Sequence, residues 1–382
     1  KNTHLLSVFF CLNWSFLVIF ESILAVFRHF STFFPCLYIF FIHICLTLIF
    51  MTKLNATITA VGGYVPEHIL SNKDLEAMVD TNDEWIISRT GIKERRILKG
   101  EGLGSSFLAI NAAKDLLLKK KIDPKTIDLV IVATATPDMQ AASTASFTAS
   151  KIGAINAFSF DMDAACSSFL FGMSVAARYI ESGVYKKVLL IGADKNSSMI
   201  DYTDRATCII FGDGAGAVLF EPNNEGLGMQ DELLKTDGTA REFLGVKSGG
   251  SCYPTDEIAI RNKEQFIKQD GKTVFKNAVF NMADVSLKIL KRNKLKKEDV
   301  QWLAAHQANQ RIIDATANRI ELLPSQVMTN IEKYGNTTSA TIPLLLYDYE
   351  SKLKKGDNII FAAFGGGFSW GSIYFKWSYN NN

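Results

Sequence analysis

Histidine all but disappears after residue 50, where only His68 and His306 remain, so any imidazole chemistry in that part of the chain rests on one of two side chains. None of the six cysteines, at positions 11, 36, 45, 166, 208 and 252, forms a C-x-x-C pair or a metal-like spacing with histidine. Neither a zinc site nor a disulfide framework is indicated. Only Cys166, Cys208 and Cys252 follow residue 50, which suits a reducing cytoplasm. Charge of one sign is also lacking: 41 Lys and Arg face 39 Asp and Glu. No global field marks nucleic acid or a membrane surface as a partner.

Formal charge is scarce in residues 1–50, which carry only Lys1, Glu21 and Arg28. By length and hydropathy this stretch could hold one or two membrane spans. It lacks the basic segment and Ala-x-Ala-like cleavage site of a secretory signal. The chain opens without methionine, and Met51 begins MTKLNATITAVGGYVP, where globular patterning starts at once. The expectation is that residues 1–50 are a hydrophobic extension from upstream translation or a mis-set start, with a membrane as partner only if the segment is real.

From Met51 onward β-rich runs alternate with helical ones, as in an α/β protein whose strands are buried on both faces. IDLVIVATATP (127–137), KKVLLIGAD (186–194), VQWLAAHQA (300–308) and NIIFAAFGGG (358–367) read as strands. Helical spacing marks 105–122, 166–182, 274–295, 309–322 and 340–355. The order repeats. KIDPKTIDLVIVAT and KLKKEDVQWLAAH both end a helix on an apolar residue, Ile122 or Leu295, and open a strand five positions later, at Ile127 or Val300. Two related halves are predicted, 51–221 and 222–382, with the segments carrying Cys166 and Asn336 in equivalent places.

Cys166 lies in FDMDAACSSFLFG (160–172), ahead of Phe169, Leu170, Met173, Ala177 and Ile180, which are spaced for one buried helix face. A sulfur at a helix N-terminus meets unpaired N–H groups and the positive end of the dipole, which favour thiolate over thiol. A small packing residue is the competing reading. His306 ends the apolar run WLAAH, where open α/β sheets place ligands; a core histidine is the equal alternative. His68, in the polar turn YVPEHILSN, reads as exposed. Asn336, in EKYGNTTSATIP, reads locally as a cap or turn residue. FGGGFSWG (364–371) is either a loop that aims N–H groups at an oxyanion or a β-bulge. FGDGAGA (211–217) runs into the strand-like VLFEP rather than the helix a dinucleotide fingerprint needs.

Together these segments resemble the β-ketoacyl-acyl-carrier-protein synthase III family. The resemblance runs in order from Met51 to Phe375 through GYVPEHILSN, DTNDEWIISRTGIKERR, DAACSSF, DRATCIIFGDGAGAVL, HQANQRI, YGNTTSATIP and FGGGFSWGS, and residues 1–50 have no counterpart in it. It implies a thiolase-like α/β fold, two pseudo-symmetric βαβ halves in a layered α-β-α-β-α arrangement. The implied activity is decarboxylative condensation of a short acyl-coenzyme A with malonyl-acyl-carrier protein, initiating fatty acid synthesis through an acyl-cysteine. The implied triad is Cys166, His306 and Asn336, and the implied oxyanion hole is the backbone N–H groups of Cys166 and Gly366. Thr81, Trp85, Arg89, Arg205, Phe275 and Asn309 fall to the coenzyme A and pantetheine channel, with Trp85 and Arg205 about the adenine. Lys276 and Arg311 fall to the acyl carrier protein. A cytoplasmic homodimer is implied, with no metal, no nucleic acid and no cofactor besides its substrates.

Three departures leave primer chain length, and the choice between a fatty-acid and a secondary-metabolite branch, open. Ser168 and Ala206 stand where the family has glycine, and ASTAS (142–146) has alanine where it has proline. Other readings fit less well. An elongating two-histidine synthase needs histidine at position 336, and a degradative thiolase needs a cysteine near the C-terminal glycine loop, whereas Cys252 is the last. A papain-like cysteine acyl-hydrolase shares the order Cys, His, Asn but needs a C-G-S-C-W context that is absent. A membrane-anchored binding module rests on residues 1–50 alone.

Overall fold

Leu129–Ala133 reads LVIVA, without a polar residue, because both of its faces are covered. The computed structural model, which describes residues 54–380, sends Leu129 and Ile131 into one apolar core and Val130 and Val132 into another. The same alternation divides Val188–Asp194 and, in the second sheet, Asn358–Gly365. This is how a strand sandwiched between helical layers must be written.

The first sheet has the order Asn55–Tyr64, Gly214–Asn223, Val188–Asp194, Leu129–Ala133, Phe158–Met162. Its last three strands are mutually parallel, and the first two join antiparallel. The second sheet has the order Trp302–Ala305, Asn358–Gly365, Ser369–Lys376, Gly228–Thr236, of which only the first pair is parallel. Helices Ser168–Glu181 and Thr341–Tyr349 fill the layer between the sheets. Ser105–Lys120 and Thr144–Ile152 cover the outer face of the first sheet, and Gly271–Arg292 and Gln310–Arg319 that of the second. The result is the layered α-β-α-β-α arrangement that the resemblance implied.

The inner helix Ser168–Glu181 is apolar because it touches both sheets. Phe169, Leu170, Met173, Ala176, Ala177 and Ile180 are fully buried, the larger ones each contributing about 1.5–3 kcal/mol. The two inner helices begin alike. A residue with positive φ, Ala165 at 50° or Thr338 at 52°, opens a 3₁₀ turn that feeds a helix at Ser168 or Thr341. The segments carrying Cys166 and Asn336 thus share one local geometry.

Element ends differ from the sequence reading in ways with local causes. The helix expected from 166 starts at Ser168, because Ala165–Ser167 winds as the tighter turn. That expected from 309 starts at Gln310, with Asn309 as its cap. That expected to reach 355 ends at Tyr349 and continues as the 3₁₀ turn Glu350–Lys352. His68 is exposed. Among the described residues no helix is long and apolar enough to cross a membrane; the expectation for residues 1–50 lies outside them.

Candidate active site

The turn that carries Cys166 is pinned on every side. Ala165 N–H donates to Asp163 Oδ1 at 2.7 Å, Ser167 Oγ donates to the Ser369 carbonyl at 2.9 Å, and Ser369 Oγ donates to the Ala164 carbonyl at 2.7 Å. Ser168, the residue in place of a family glycine, closes the turn. Its hydroxyl accepts from Ala164 N–H at 2.7 Å and donates to the Ala165 carbonyl at 2.6 Å. It therefore satisfies two backbone groups around a residue of positive φ, a service no glycine side chain offers.

His306 follows the strand Trp302–Ala305, and its backbone N–H extends the sheet by donating to the Ala362 carbonyl at 2.8 Å. Its Nδ1 lies 2.7 Å from Thr341 Oγ1. Asn336 is held through its main chain, with N–H to the Ile210 carbonyl at 2.9 Å and carbonyl from Gly212 N–H at 3.0 Å. The FGDGAGA segment, set aside as a nucleotide loop, thus fixes Asn336 and then enters the strand Gly214–Asn223. Asn336 Oδ1 accepts Thr338 N–H at 2.8 Å, so its NH₂ end is the one left to bond the Cys166 sulfur. Next to Asn336, Ser339 donates both its N–H and its hydroxyl to the buried carboxylate of Asp194.

Cys166, His306, Asn336 and Gly366 all line one cavity of about 1000 Å³. Its walls are mostly apolar, with Ile209, Phe211, Leu244, Phe275, Met282 and Phe364 among them. Among the described residues no cluster of three or more His, Cys, Asp or Glu is placed to hold a metal.

A thiol, an imidazole and an amide at one apolar cavity, in this layered fold, can be compared with known proteins. The model for the 3-oxoacyl-[acyl-carrier-protein] synthase III family matches residues 160–238, and that for its C-terminal part matches residues 290–377. A β-ketoacyl-[acyl-carrier-protein] synthase III of Bacteroides thetaiotaomicron is 56% identical over 330 residues, 86% of this chain and 98% of its own length. That of Phocaeicola vulgatus is 53% identical, covering 87% and 99%. The chain belongs to the synthase III family. Among solved structures, the synthase III of Aquifex aeolicus superposes with a TM-score of 0.78 at 38% identity, covering 84% of this chain and all of that one.

The remaining positions suggested by the synthase III resemblance fall in three places. Trp85, Arg89, Phe275, Asn309 and Arg311 line the cavity. Arg205 stacks on Trp85, its guanidinium 5.1 Å from the ring centroid, and donates to the Asp80 carbonyl at 2.8 Å. A flat ring between them would need two van der Waals contacts, about 7 Å in all, so the space between Arg205 and Trp85 as it stands admits none. Thr81 and Lys276 do not line the cavity; Thr81 is half-buried and Lys276 exposed. Asn309 is engaged as a cap, accepting from Arg311 N–H and donating to the Arg89 carbonyl. Residues absent from the sequence reading also reach the site: Thr341 and Asp194 support it, and Lys272 and Gln269 line the cavity. No local periodicity marks them.

The electrostatics of this synthase III site correct one expectation. Burial pushes the Cys166 thiol up to about 12, with Asp194 and Asp163 adding to the rise and the Asn336 bond opposing it. Desolvation outweighs the helix N-terminus, so the resting form is thiol, not thiolate. Burial likewise brings His306 down to about 3. The resting pair is neutral.

Alkaline stability follows from the same burial. Cys166 at about 12 and Cys208 at about 11 stand above an ordinary 9.0, and Tyr202, Tyr334 and Tyr374 at about 12 stand above 10.0, in each case with burial as the leading cause. Between the unfolded and folded values the native state keeps protons that the unfolded chain has lost. Unfolding free energy therefore falls as pH rises. Stability from these groups is full below about pH 9 and is lost progressively from 9 to 12. Urea melts from pH 8 to 11 should show a midpoint that holds to about pH 9 and falls above it; a constant one throughout would contradict the burial of these groups.

Proposed function

We propose that this synthase III condenses a short acyl-coenzyme A with malonyl-acyl-carrier protein, with Cys166 as acyl acceptor and His306 and Asn336 as donors to the malonyl thioester. The observation that carries the reading is the meeting of thiol, imidazole and amide on one mostly apolar cavity. In the first half-reaction the Cys166 sulfur bonds the acyl carbon, the carbon–sulfur bond to coenzyme A breaks, and the thiol proton ends on the coenzyme A sulfur. Covalent capture divides a hard condensation into two easier steps. In the second, the malonyl thioester loses carbon dioxide and the released electron pair forms an enolate, whose oxygen takes hydrogen bonds from His306 and Asn336. The enolate carbon attacks the acyl–Cys166 carbonyl. The oxyanion meets the N–H groups of Cys166 and Gly366, then collapses to 3-oxoacyl product and a Cys166 thiolate that takes a proton from solvent.

Trp85 and Arg205, the latter moved outward to take the far face of the adenine, are assigned with Thr81, Arg89, Phe275 and Asn309 to coenzyme A and its pantetheine arm. The exposed cations Lys276 and Arg311 are assigned to the acidic carrier protein. The two halves are read as joining at 221–222. A cytoplasmic homodimer is part of the reading, and the edge strand Phe158–Met162, with Phe158 40% exposed, supports such pairing. Purified protein given labelled short acyl-coenzyme A should carry the label on the Cys166 peptide, and should yield 3-oxoacyl product only when malonyl-carrier protein is added. Hydrolysis of the acyl-coenzyme A without condensation would replace this reading with an acyl-hydrolase. A panel of straight and branched primers in the same assay reads out chain-length preference.

A further inference from the structure

We infer that Thr341 is a positioning residue that holds His306 as the Nε2–H tautomer, making the histidine a hydrogen-bond donor for the malonyl step. The inference rests on the reading of His306 above. Thr341 Oγ1 has two neighbours, His306 Nδ1 at 2.7 Å and the Thr338 carbonyl at 3.1 Å. A hydroxyl has one proton and can give it to only one of them. If it went to the Thr338 carbonyl, Oγ1 would accept from Nδ1–H and Nε2 would face the cavity as a bare lone pair. If it goes to the ring, Nδ1 accepts and the ring proton sits on Nε2.

Distance and chemistry select the second arrangement. Hydroxyl donors most often sit at about 2.7–2.8 Å and N–H donors at about 2.9–3.0 Å. The contact to Nδ1, at 2.7 Å, matches the hydroxyl distance, and the contact to the carbonyl, at 3.1 Å, is longer than it. An imidazole nitrogen is also a far stronger base than a peptide carbonyl. His306 and Thr341 are each only 2% exposed, and among the described residues no other side chain bonds the ring. The Asn336 amide is fixed in the same sense, its oxygen held by Thr338 N–H and its NH₂ turned to the thiol. Two neutral donors therefore converge on the cavity, both set by the Thr338–Thr341 turn. That is what a developing enolate oxygen requires, and acyl transfer to Cys166 makes no demand on it.

The test separates the half-reactions. In Thr341→Val, carbon dioxide release from malonyl-carrier protein should fall about 10-fold or more, bounded by the ~10²–10³ of deleting an oxyanion donor. Acylation of Cys166 by acyl-coenzyme A should stay within about twofold. Thr341→Ser should restore decarboxylation. The ¹⁵N shifts of the His306 ring should report Nε2–H in the native protein and in Thr341→Ser, with that bias lost in Thr341→Val. Failure of both half-reactions together, or an Nδ1–H tautomer in the native protein, overturns the inference. If Cys166 is not acylated even in the native protein, it is the proposed function that fails.

Discussion

A Cys166→Ala variant is expected to form no 3-oxoacyl product while still releasing carbon dioxide from malonyl-carrier protein. The sulfur is the only atom removed, and the turn around it is held by Ser167, Ser168 and Ser369 rather than by the thiol. His306 and Asn336 keep their own anchors, Thr341 and Thr338. The variant thus retains the donors for the enolate and loses the electrophile that the enolate would attack. Removing a covalent nucleophile costs on the order of 10⁴–10⁶ in rate, so condensation should drop below detection. Headspace carbon dioxide and product mass, followed in the same reaction, measure both halves. Undiminished condensation would dismiss Cys166 as acyl acceptor, and loss of decarboxylation as well would show that the thiol helps hold the malonyl thioester.

Much of this was legible in the sequence, and what was not has identifiable reasons. Strands such as Leu129–Ala133 stood out because both faces are buried and every residue is apolar. The edge strand Phe158–Met162 did not, since FSFDM lies half in water and alternates weakly. Gly228–Thr236, an edge of the second sheet, reads GMQDELLKT and hides for the same reason. Cys166 could be placed ahead of a buried helix face by spacing alone. Its protonation state could not, because spacing reports the dipole and is silent on how much water the fold removes.

Asn336 shows the same limit at longer range. Locally it looked like a turn residue, and it does accept a backbone N–H two residues on. What holds its main chain in place is that of Ile210 and Gly212, more than 120 residues earlier. Ser168 was conspicuous as a departure from glycine, yet its use depends on the positive φ of Ala165. Order along the chain revealed the members of the site, whereas their supports are contacts that only the fold creates.

Those supports make Gly365→Ala the second variant with a large expected effect. Gly365 ends the strand Asn358–Gly365, and the glycine run it opens reads from sequence as either a loop that aims N–H groups at an oxyanion or a β-bulge. Its closest approach is to the nucleophile turn itself. A Cβ at 365 would lie 2.6 Å from Cys166 N, 3.1 Å from Ser167 N and 3.2 Å from Cys166 Cα. All three are main-chain atoms, so no side chain can swing aside. The strand cannot retreat either, being paired on one side with Trp302–Ala305 and on the other with Ser369–Lys376. Overpacking of this kind costs about 1–3 kcal/mol, and the turn is the part that must move. A displacement of about 1 Å at a reacting group can lower its rate ~10²-fold. Gly365→Ala should therefore melt earlier than the native protein and acylate at least about 100-fold more slowly. Gly238→Ala, where a Cβ meets nothing within 4 Å, is the matched control and should leave both unchanged. Equal acylation rates in the two variants would mean that Cys166 does not depend on the close seating of its turn against the glycine strand.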